Sequence, residues 1–461
     1  MTFGVRAISL PALLVLLELA KGLCWATLLP PWYGPDEPAH FIYAETLLYE
    51  HRLPMYAAAR SDGTDIPPDV ACSERDMGWR PDGPFMEGPY PLAQDHALCA
   101  IEESRVREPA VPSNPAAGYS PLYYALAIPV LAIVNGAPVE IRLFSVRLLS
   151  VLLGAGATLM VYLASLWALG HRRSLAGAAA AVYAFQPMLS QQYALVNNDV
   201  LLDFLAAAFF WRLVRSFAIV PGLRETSLLA GIVGLAYLAK PQGILLALLL
   251  PGPALAALRA GRLSWRSLFG QALVAAAVLT ALAAGGLIFE FLSQGSPVPQ
   301  DKTAVARDSF RHYLDLNLGG HGTHLWWLWV ATVWGDFGWL TVALPRHLYE
   351  AIVGVLLIAL LGSGWAALRR HAAPALALLA VLLLCVPLQA WEAQFFREHA
   401  QLVLQGRNFF FAFPAAVIFI VGGVAGIAPR GCEHRLALLL AVASAALNAF
   451  SVLVVLEAFY G

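Results

Sequence analysis

Two carboxylates side by side, Asp36 and Glu37, are the strongest chemical signal in this sequence. They lie in Pro30-Pro31-Trp32-Tyr33-Gly34-Pro35-Asp36-Glu37-Pro38-Ala39-His40, directly after the first long apolar run. Acids held between prolines at a membrane rim suit a general base, or the ligands of a divalent cation such as Mg or Mn. His40 follows Glu37 by about one helical turn and can join them. A helix N-terminus, whose dipole favours negative charge, accounts for one of these acids without any function, but not for two clamped together. Glu18 and Lys21, three apart inside the first apolar run, read as a mutual pair on one helical face. His312, His321 and His324, near Asp315, match no zinc-binding spacing and read as a solvated loop. No glycine-rich phosphate cradle of the nucleotide type is present, so a nucleotide-dependent activity has no support.

The elements that must hold these residues are membrane helices. Of 461 residues, 59% are hydrophobic and 13% charged, with a mean hydropathy of +0.66. Soluble domains carry roughly 25% charged residues. A net charge of −1 gives no basic field for nucleic acid. Eleven apolar runs stand out: Ile8–Leu29, Ile141–Leu169, Leu175–Leu195, Val196–Phe217, Leu223–Ala239, Gly243–Leu258, Ser267–Phe291, His347–Leu368, Ala373–Trp391, Phe409–Ala428 and Leu436–Phe459. Arginines end or follow every second run: Arg172 and Arg173, then Arg212, Arg215 and Arg224, then Arg259, Arg262 and Arg266, then Arg369 and Arg370, then Arg430 and Arg435. By the positive-inside rule these short loops are cytoplasmic, as is the N-terminus, since Arg6 precedes the first run. The stretch Leu122–Val134 is too short to cross and reads as a juxtamembrane or re-entrant helix. His324–Pro345, with five tryptophans and interrupted by Gly335, Asp336 and Gly338, reads as an interfacial belt.

Pro31–Ser120 then lies outside. It holds 15 of the 30 acidic residues against 6 basic ones. Pro38–Arg52 within it has helical spacing of apolar residues and reads as an amphipathic helix on the membrane surface, capped by Glu37. Cys72 and Cys99 share the loop, and an oxidising compartment would permit a bridge between them. The resulting division is 1–30, the first span; 31–140, an extracytoplasmic loop with juxtamembrane helices; 141–291, spans two to seven; 292–346, a second extracytoplasmic, tryptophan-rich segment; and 347–461, spans eight to eleven. Only three of the 29 basic residues are lysines, a bias that suggests a GC-rich bacterial genome.

The segment Pro35-Asp36-Glu37-Pro38-Ala39-His40-Phe41 resembles a motif of an uncharacterised bacterial family of multi-pass membrane proteins related to the GT-C glycosyltransferases. Three further segments fit it in order: Ser120-Pro121-Leu122-Tyr123-Tyr124, Phe337-Gly338-Trp339-Leu340 with Pro345, and Gln405-Gly406-Arg407 with Pro414. Ser120 and Asn408 depart from the family pattern, where proline and tyrosine are usual. The resemblance implies an all-α, GT-C-like polytopic protein of about eleven transmembrane helices, with a large extracytoplasmic loop between spans one and two. It implies an inverting transfer of sugar from a polyprenyl-phosphate donor to a glycan, lipid or protein acceptor of the cell envelope. The site would face outward from a bacterial inner membrane. Asp36 matches the family's catalytic acid, with Glu37 as its helper or as a metal ligand. Asp199, in Val196-Asn197-Asn198-Asp199, matches a second acid; a helix N-cap is the alternative use of Asn198 or Asp199. His40, Tyr124, Asn198 and Gln405 fall at substrate-binding positions.

A phosphate leaving group needs cations, which act most strongly in a dry site. Lys240, in the turn Ala239-Lys240-Pro241-Gln242, and Arg407 are the outward-facing candidates. A snorkelling lysine and an interfacial arginine are their ordinary alternatives. Two other functions use the same cations: a lipid-linked saccharide transporter or flippase, which needs no base, and a ligase or polymerase of preassembled glycans. The orientation has a direct check. On intact spheroplasts, an impermeant thiol reagent should label a cysteine introduced at Gly63 but not one at Ser174. Labelling at Ser174 alone would invert the topology.

Overall fold

The structure, a computed structural model, describes residues 9–54, 67–76, 114–294, 329–338, 340–369, 371–399, 406–429 and 431–461. It is a helical bundle. α1 (Leu10–Leu28) leads to α2 (Glu37–Tyr49) and α3 (Pro68–Asp76); a 3-10 turn (Pro115–Gly118) precedes α4 (Leu122–Ile133). Then come α5 (Val139–Ala168), α6 (Arg173–Ala184), α7 (Pro187–Gln192), α8 (Asp199–Ala218), α9 (Leu223–Ala239), a 3-10 segment (Pro241–Leu249), α10 (Pro251–Arg259) and α11 (Trp265–Gln294). A helix at 329–334 is followed by a hairpin of β1 (Asp336–Phe337) and β2 (Val342–Ala343), with Asp336 opposite Ala343. The chain ends with α12 (Arg346–Leu368), α13 (Ala373–His399), a 3-10 turn (Gly406–Ala412), α14 (Phe413–Ile427) and α15 (Glu433–Tyr460). α5 packs against α1, α6 and α8, and α14 against α12 and α13.

Among the described residues, eight helical segments are long and apolar enough to cross a membrane. The other three of the eleven expected spans also form helices, but each falls short for a local reason. α8 carries Asp199, Asp203, Arg212 and Arg215. α9 has 17 residues. The run Leu175–Leu195 breaks after α6, because Pro187 has no N–H and holds Gln186 extended (φ −66°, ψ 122°). Irregular backbone at membrane depth is tolerated only where protein satisfies it, and here it does. Lys21 Nζ donates to Ala184 O at 2.5 Å and Ser190 Oγ at 2.8 Å, while Asn448 Nδ2 donates to Phe185 O at 3.2 Å. Lys21 also meets Glu18 at 3.0 Å, the mutual pair expected from their spacing.

Two expectations about the segment after α1 are corrected. α2 is not a one-sided surface helix: Glu37, His40, Phe41, Tyr43, Ala44 and Glu45 are all buried. Its polar residues turn inward because partners await them, with Arg142 of α5 paired to Glu45 and to Asp69 of α3. The N-cap is Asp36, not Glu37, and it takes a left-handed conformation (φ 62°) that aspartate tolerates better than most residues. Cys72 on α3 is disulfide-bonded; Cys99, its expected partner, lies outside the described residues. α4, at 12 residues, is too short to span. The helix at 329–334 stops at Gly335 and gives way to the hairpin instead of extending into a span.

α14, with the 3-10 turn that leads into it, is the most buried of the long apolar segments, whereas α11 is almost wholly exposed at the surface of the bundle. α14 meets α12 closely enough that a Cβ at Gly423 would collide with the Ala359 carbonyl, and one at Gly362 with the Gly423 carbonyl. Small residues permit this approach where lipid offers no competing hydrophobic drive. Gly354, on the same α12, faces open space. Gly423→Val should therefore destabilise detergent-solubilised protein by about 1–3 kcal/mol, with Gly354→Val near neutral in the same thermal unfolding measurement. Equal effects would mean the α12–α14 contact is looser than described.

Candidate functional site

The site forms where several helix ends meet. α1 ends and α2 begins there, α4 and α8 start there, α9 finishes there, and the Gly406–Ala412 turn enters α14. Arg407 Nη2 reaches Asp36 Oδ2 at 2.5 Å, and its Nη1 donates to Pro35 O at 3.0 Å. Lys240 Nζ lies 2.5 Å from Asp199 Oδ1 and donates to Asn408 Oδ1 at 3.1 Å. The two ion pairs are electrostatically coupled: Asp36 feels Lys240, and Arg407 feels Asp199. Burial separates their roles. The Asp36 side chain is 46% exposed, whereas that of Asp199 is 2% exposed.

Local backbone explains each placement. Gly406 is required because a Cβ there would strike the backbone of Thr332 and Val333; its N–H donates to Thr332 Oγ1 at 3.0 Å. That close approach delivers Arg407. Pro241 ends α9, and a Cβ at Gly243 would meet the backbone of Ala236, so the tight return after α9 needs glycine and leaves Lys240 at its tip. Asn198 does not cap α8 through its side chain; its Nδ2 donates to Ala239 O at 2.8 Å and ties the start of α8 to the end of α9. Asp199 N–H is satisfied by Asn197 Oδ1 at 2.8 Å. The N-cap use of Asn198 or Asp199 is thus not what the geometry shows.

An aromatic wall closes one side. His40 Nδ1 is 2.7 Å from Tyr124 Oη, and its ring lies nearly parallel to those of Tyr119 and Tyr124. Tyr43 stacks on Tyr124 at 3.7 Å and donates to Tyr119 O. Lys240 Nζ sits 6.0 Å from the Tyr119 ring centroid. On another side, a narrow crevice opens beside the arginine, its lining mixing polar Gln191, Gln192 and Asn197 with apolar Met188, Leu195 and Leu340. Tyr119 and Asn408 were not among the expected site residues. Tyr119 directly precedes the Ser120–Tyr124 motif and Asn408 directly follows Gln405-Gly406-Arg407, so adjacency to motifs was their available signal.

Glu37 leaves the site. Its Oε1 accepts from Arg147 Nε at 2.8 Å and from Val196 N–H at 3.1 Å, and its Oε2 from Arg147 Nη2 at 2.7 Å. Asp36 and Glu37 therefore turn to different arginines, and the expected Mg or Mn site on this pair does not fit the donor set. Among the described residues, no group of three or more His, Cys, Asp or Glu side chains could hold a metal. Gln405, His312, His321 and His324 lie outside the described residues. Asp336 is buried in the hairpin, and burial pushes its carboxyl up to about 6. Partial burial pushes the Asp36 carboxyl up, but the charges of Arg407 and Lys240 and the hydrogen bond from Arg407 outweigh it and hold the group below the usual carboxylate range.

These are features of a polytopic membrane protein with a charged, partly exposed site at one end of its bundle. The chain belongs to the family described as "Predicted membrane protein (DUF2142)", matched over residues 19–418. No curated protein matches it by sequence. Its fold is similar to that of the Archaeoglobus fulgidus oligosaccharyltransferase in the apo form, at 15% identity and TM-score 0.44, covering 98% of this chain and 55% of that one. The same enzyme tethered to an acceptor peptide with the NVT sequon gives 13%, 0.44, 97% and 55%. The chain thus spans about half the length of these structures.

His40 gives a pH test of the wall. Burial lowers its pKa to about 4 from 6.5, although Asp36 and Asp199 act to raise it. The unfolded chain takes up a proton near 6.5 that the folded protein refuses until about 4, so this contribution is complete above 6.5 and is lost as pH falls through that window. The thermal midpoint should fall more steeply between pH 6.5 and 4.5 in the wild type than in His40→Gln. A shallower wild-type slope would place a charged histidine in the folded protein.

Proposed function

We propose that this protein transfers a sugar from a polyprenyl-phosphate donor to a hydroxyl acceptor of the cell envelope, on the extracytoplasmic face of a bacterial inner membrane. In this reading Asp36 is the general base. It takes the acceptor proton as the acceptor oxygen bonds to the anomeric carbon. The bond from that carbon to the phosphate oxygen breaks on the opposite face, giving inversion. The electrons leave with polyprenyl phosphate, whose charge Arg407 and Lys240 hold. Asp199 keeps Lys240 in place, and His40, Tyr124 and Asn198 shape the pocket.

The observation that carries this reading is the meeting of two acids with two cations at one end of the bundle, with one member of each sign left available. Arg407 has a buried Nε–H without a hydrogen-bond partner among the described residues, and Asp36 is half-exposed. Buried polar atoms in native proteins are nearly always satisfied, so an orphaned guanidinium donor points to a ligand. Arginine suits a phosphate, which it can hold with two parallel bonds. When phosphate engages Arg407, the pairing that holds the Asp36 carboxyl low is relieved, and Asp36 becomes a stronger base as the donor arrives.

Asp36→Asn preserves shape and removes the base. Purified variant should lose at least ~100-fold in turnover with polyprenyl-phosphate sugars, equivalent to roughly 3 kcal/mol of barrier, with donor binding not weakened. Folded variant transferring sugar at the wild-type rate would remove Asp36 from the mechanism. Movement of lipid-linked saccharide by both proteins, with no transfer by either, would favour the transporter.

A further inference from the structure

We infer that Arg147 and Glu37 form a positioning joint that sets both acids of the site at once. Arg147, on α5, is 2% exposed, and Glu37 is fully buried. A guanidinium carries five N–H donors, and all five are used. Nε and one Nη2 hydrogen go to the two oxygens of Glu37 at 2.8 and 2.7 Å. The other Nη2 hydrogen goes to Pro30 O at 2.9 Å, and Nη1 serves Ala26 O at 3.0 Å and Leu29 O at 2.6 Å. Ala26 and Leu29 carry carbonyls at the end of α1, which the helix itself cannot satisfy.

The joint therefore grips the backbone at Pro30 and the side chain at Glu37, the two ends of the loop that presents Asp36. Asp36 is bonded directly to Glu37 and sits at positive φ, a conformation that needs support from its surroundings. The same Glu37 Oε1 accepts the Val196 N–H at 3.1 Å. Val196 opens the short linker in which Asn197 holds the Asp199 N–H. One ion pair outside the charged cluster thus fixes the register of Asp36 and of Asp199, which come from distant parts of the sequence. Neither Arg147 nor Glu37 faces the crevice or touches Arg407 or Lys240, so the pair acts through the residues it holds.

This rests on the proposed transfer reaction, and the test separates the two. Arg147→Lys keeps the charge beside Glu37 but cannot serve five acceptors from one nitrogen. Glu37→Asp keeps the charge but is one methylene too short to reach both Arg147 and Val196. Both would be purified, checked for monodispersity and thermal midpoint, and assayed with a polyprenyl-phosphate hexose. The expected result is folded protein with kcat lowered by about 100-fold, the scale of a small misplacement of reacting groups, and KM changed far less. Wild-type kcat in both folded variants would overturn the joint. So would a loss of activity that only tracks the lost folded fraction, or failure of both variants to fold, since each would show a fold-holding role alone. A wild type that transfers no sugar from any such donor would overturn the proposed reaction, and the joint with it; that failure shows in the parent protein, whereas failure of the joint shows only in the variants.

Discussion

Glu37 and Arg147 meet almost entirely away from solvent, and neither could remain there alone. Removing one partner of a buried ion pair typically costs about 3–5 kcal/mol, because the survivor is left charged and unpaired. That requirement reaches far along the chain. It closes the end of α1, turns the chain back into α2 and holds the linker before α8. Arg142, one and a half turns earlier on α5, binds Glu45 of α2 and Asp69 of α3 in the same way. α5 thus carries two arginines that dock the region after α1 onto the bundle. The broken helix at Pro187 obeys the same rule, with Lys21 and Asn448 supplying donors for the carbonyls the break exposes.

Against this background the unsaturated groups stand out. Arg147 directs every donor to protein acceptors, whereas Arg407 has an Nε–H with no partner among the described residues and pairs with the half-exposed Asp36. Two arginines at the same end of the bundle therefore differ in available capacity. The saturated one holds backbone, and the unsaturated one borders the crevice. The Asp199–Lys240 pair lies deeper, with Asn408 as a further partner of the lysine. Lys240 and Arg407 are near enough for the two cations to act on each other electrostatically. In a site with little water, such pre-placed cations act at much greater strength than they would in bulk solvent.

Much of this was legible in the sequence. Apolar length marks most of the helices, and the short motifs at residues 36, 199, 240 and 407 converge on one place because each lies at a helix end. The rest was hidden for physical reasons. Glu37 looked like a companion to Asp36 because adjacency is visible in a sequence, whereas its true partner is 110 residues away inside an apolar run. Arg142 and Arg147 carry no motif and lie inside a long apolar run whose sequence names no partner for them. The α2 residues showed helical spacing, but burial on all sides depends on α4 and α5 supplying partners for His40 and Glu45. The run Leu175–Leu195 has the length of a span, and Pro187 ends it only because Lys21 and Asn448 make the break affordable.

The central claim is that Asp36 and an anionic donor compete for Arg407. The most direct test is the affinity of the purified protein for undecaprenyl phosphate, measured for the wild type and for Asp36→Asn. The asparagine cannot form the ion pair with Arg407, so the phosphate no longer has to displace a carboxylate. The account predicts tighter binding by Asp36→Asn. Unchanged or weaker binding by a folded Asp36→Asn protein would contradict it.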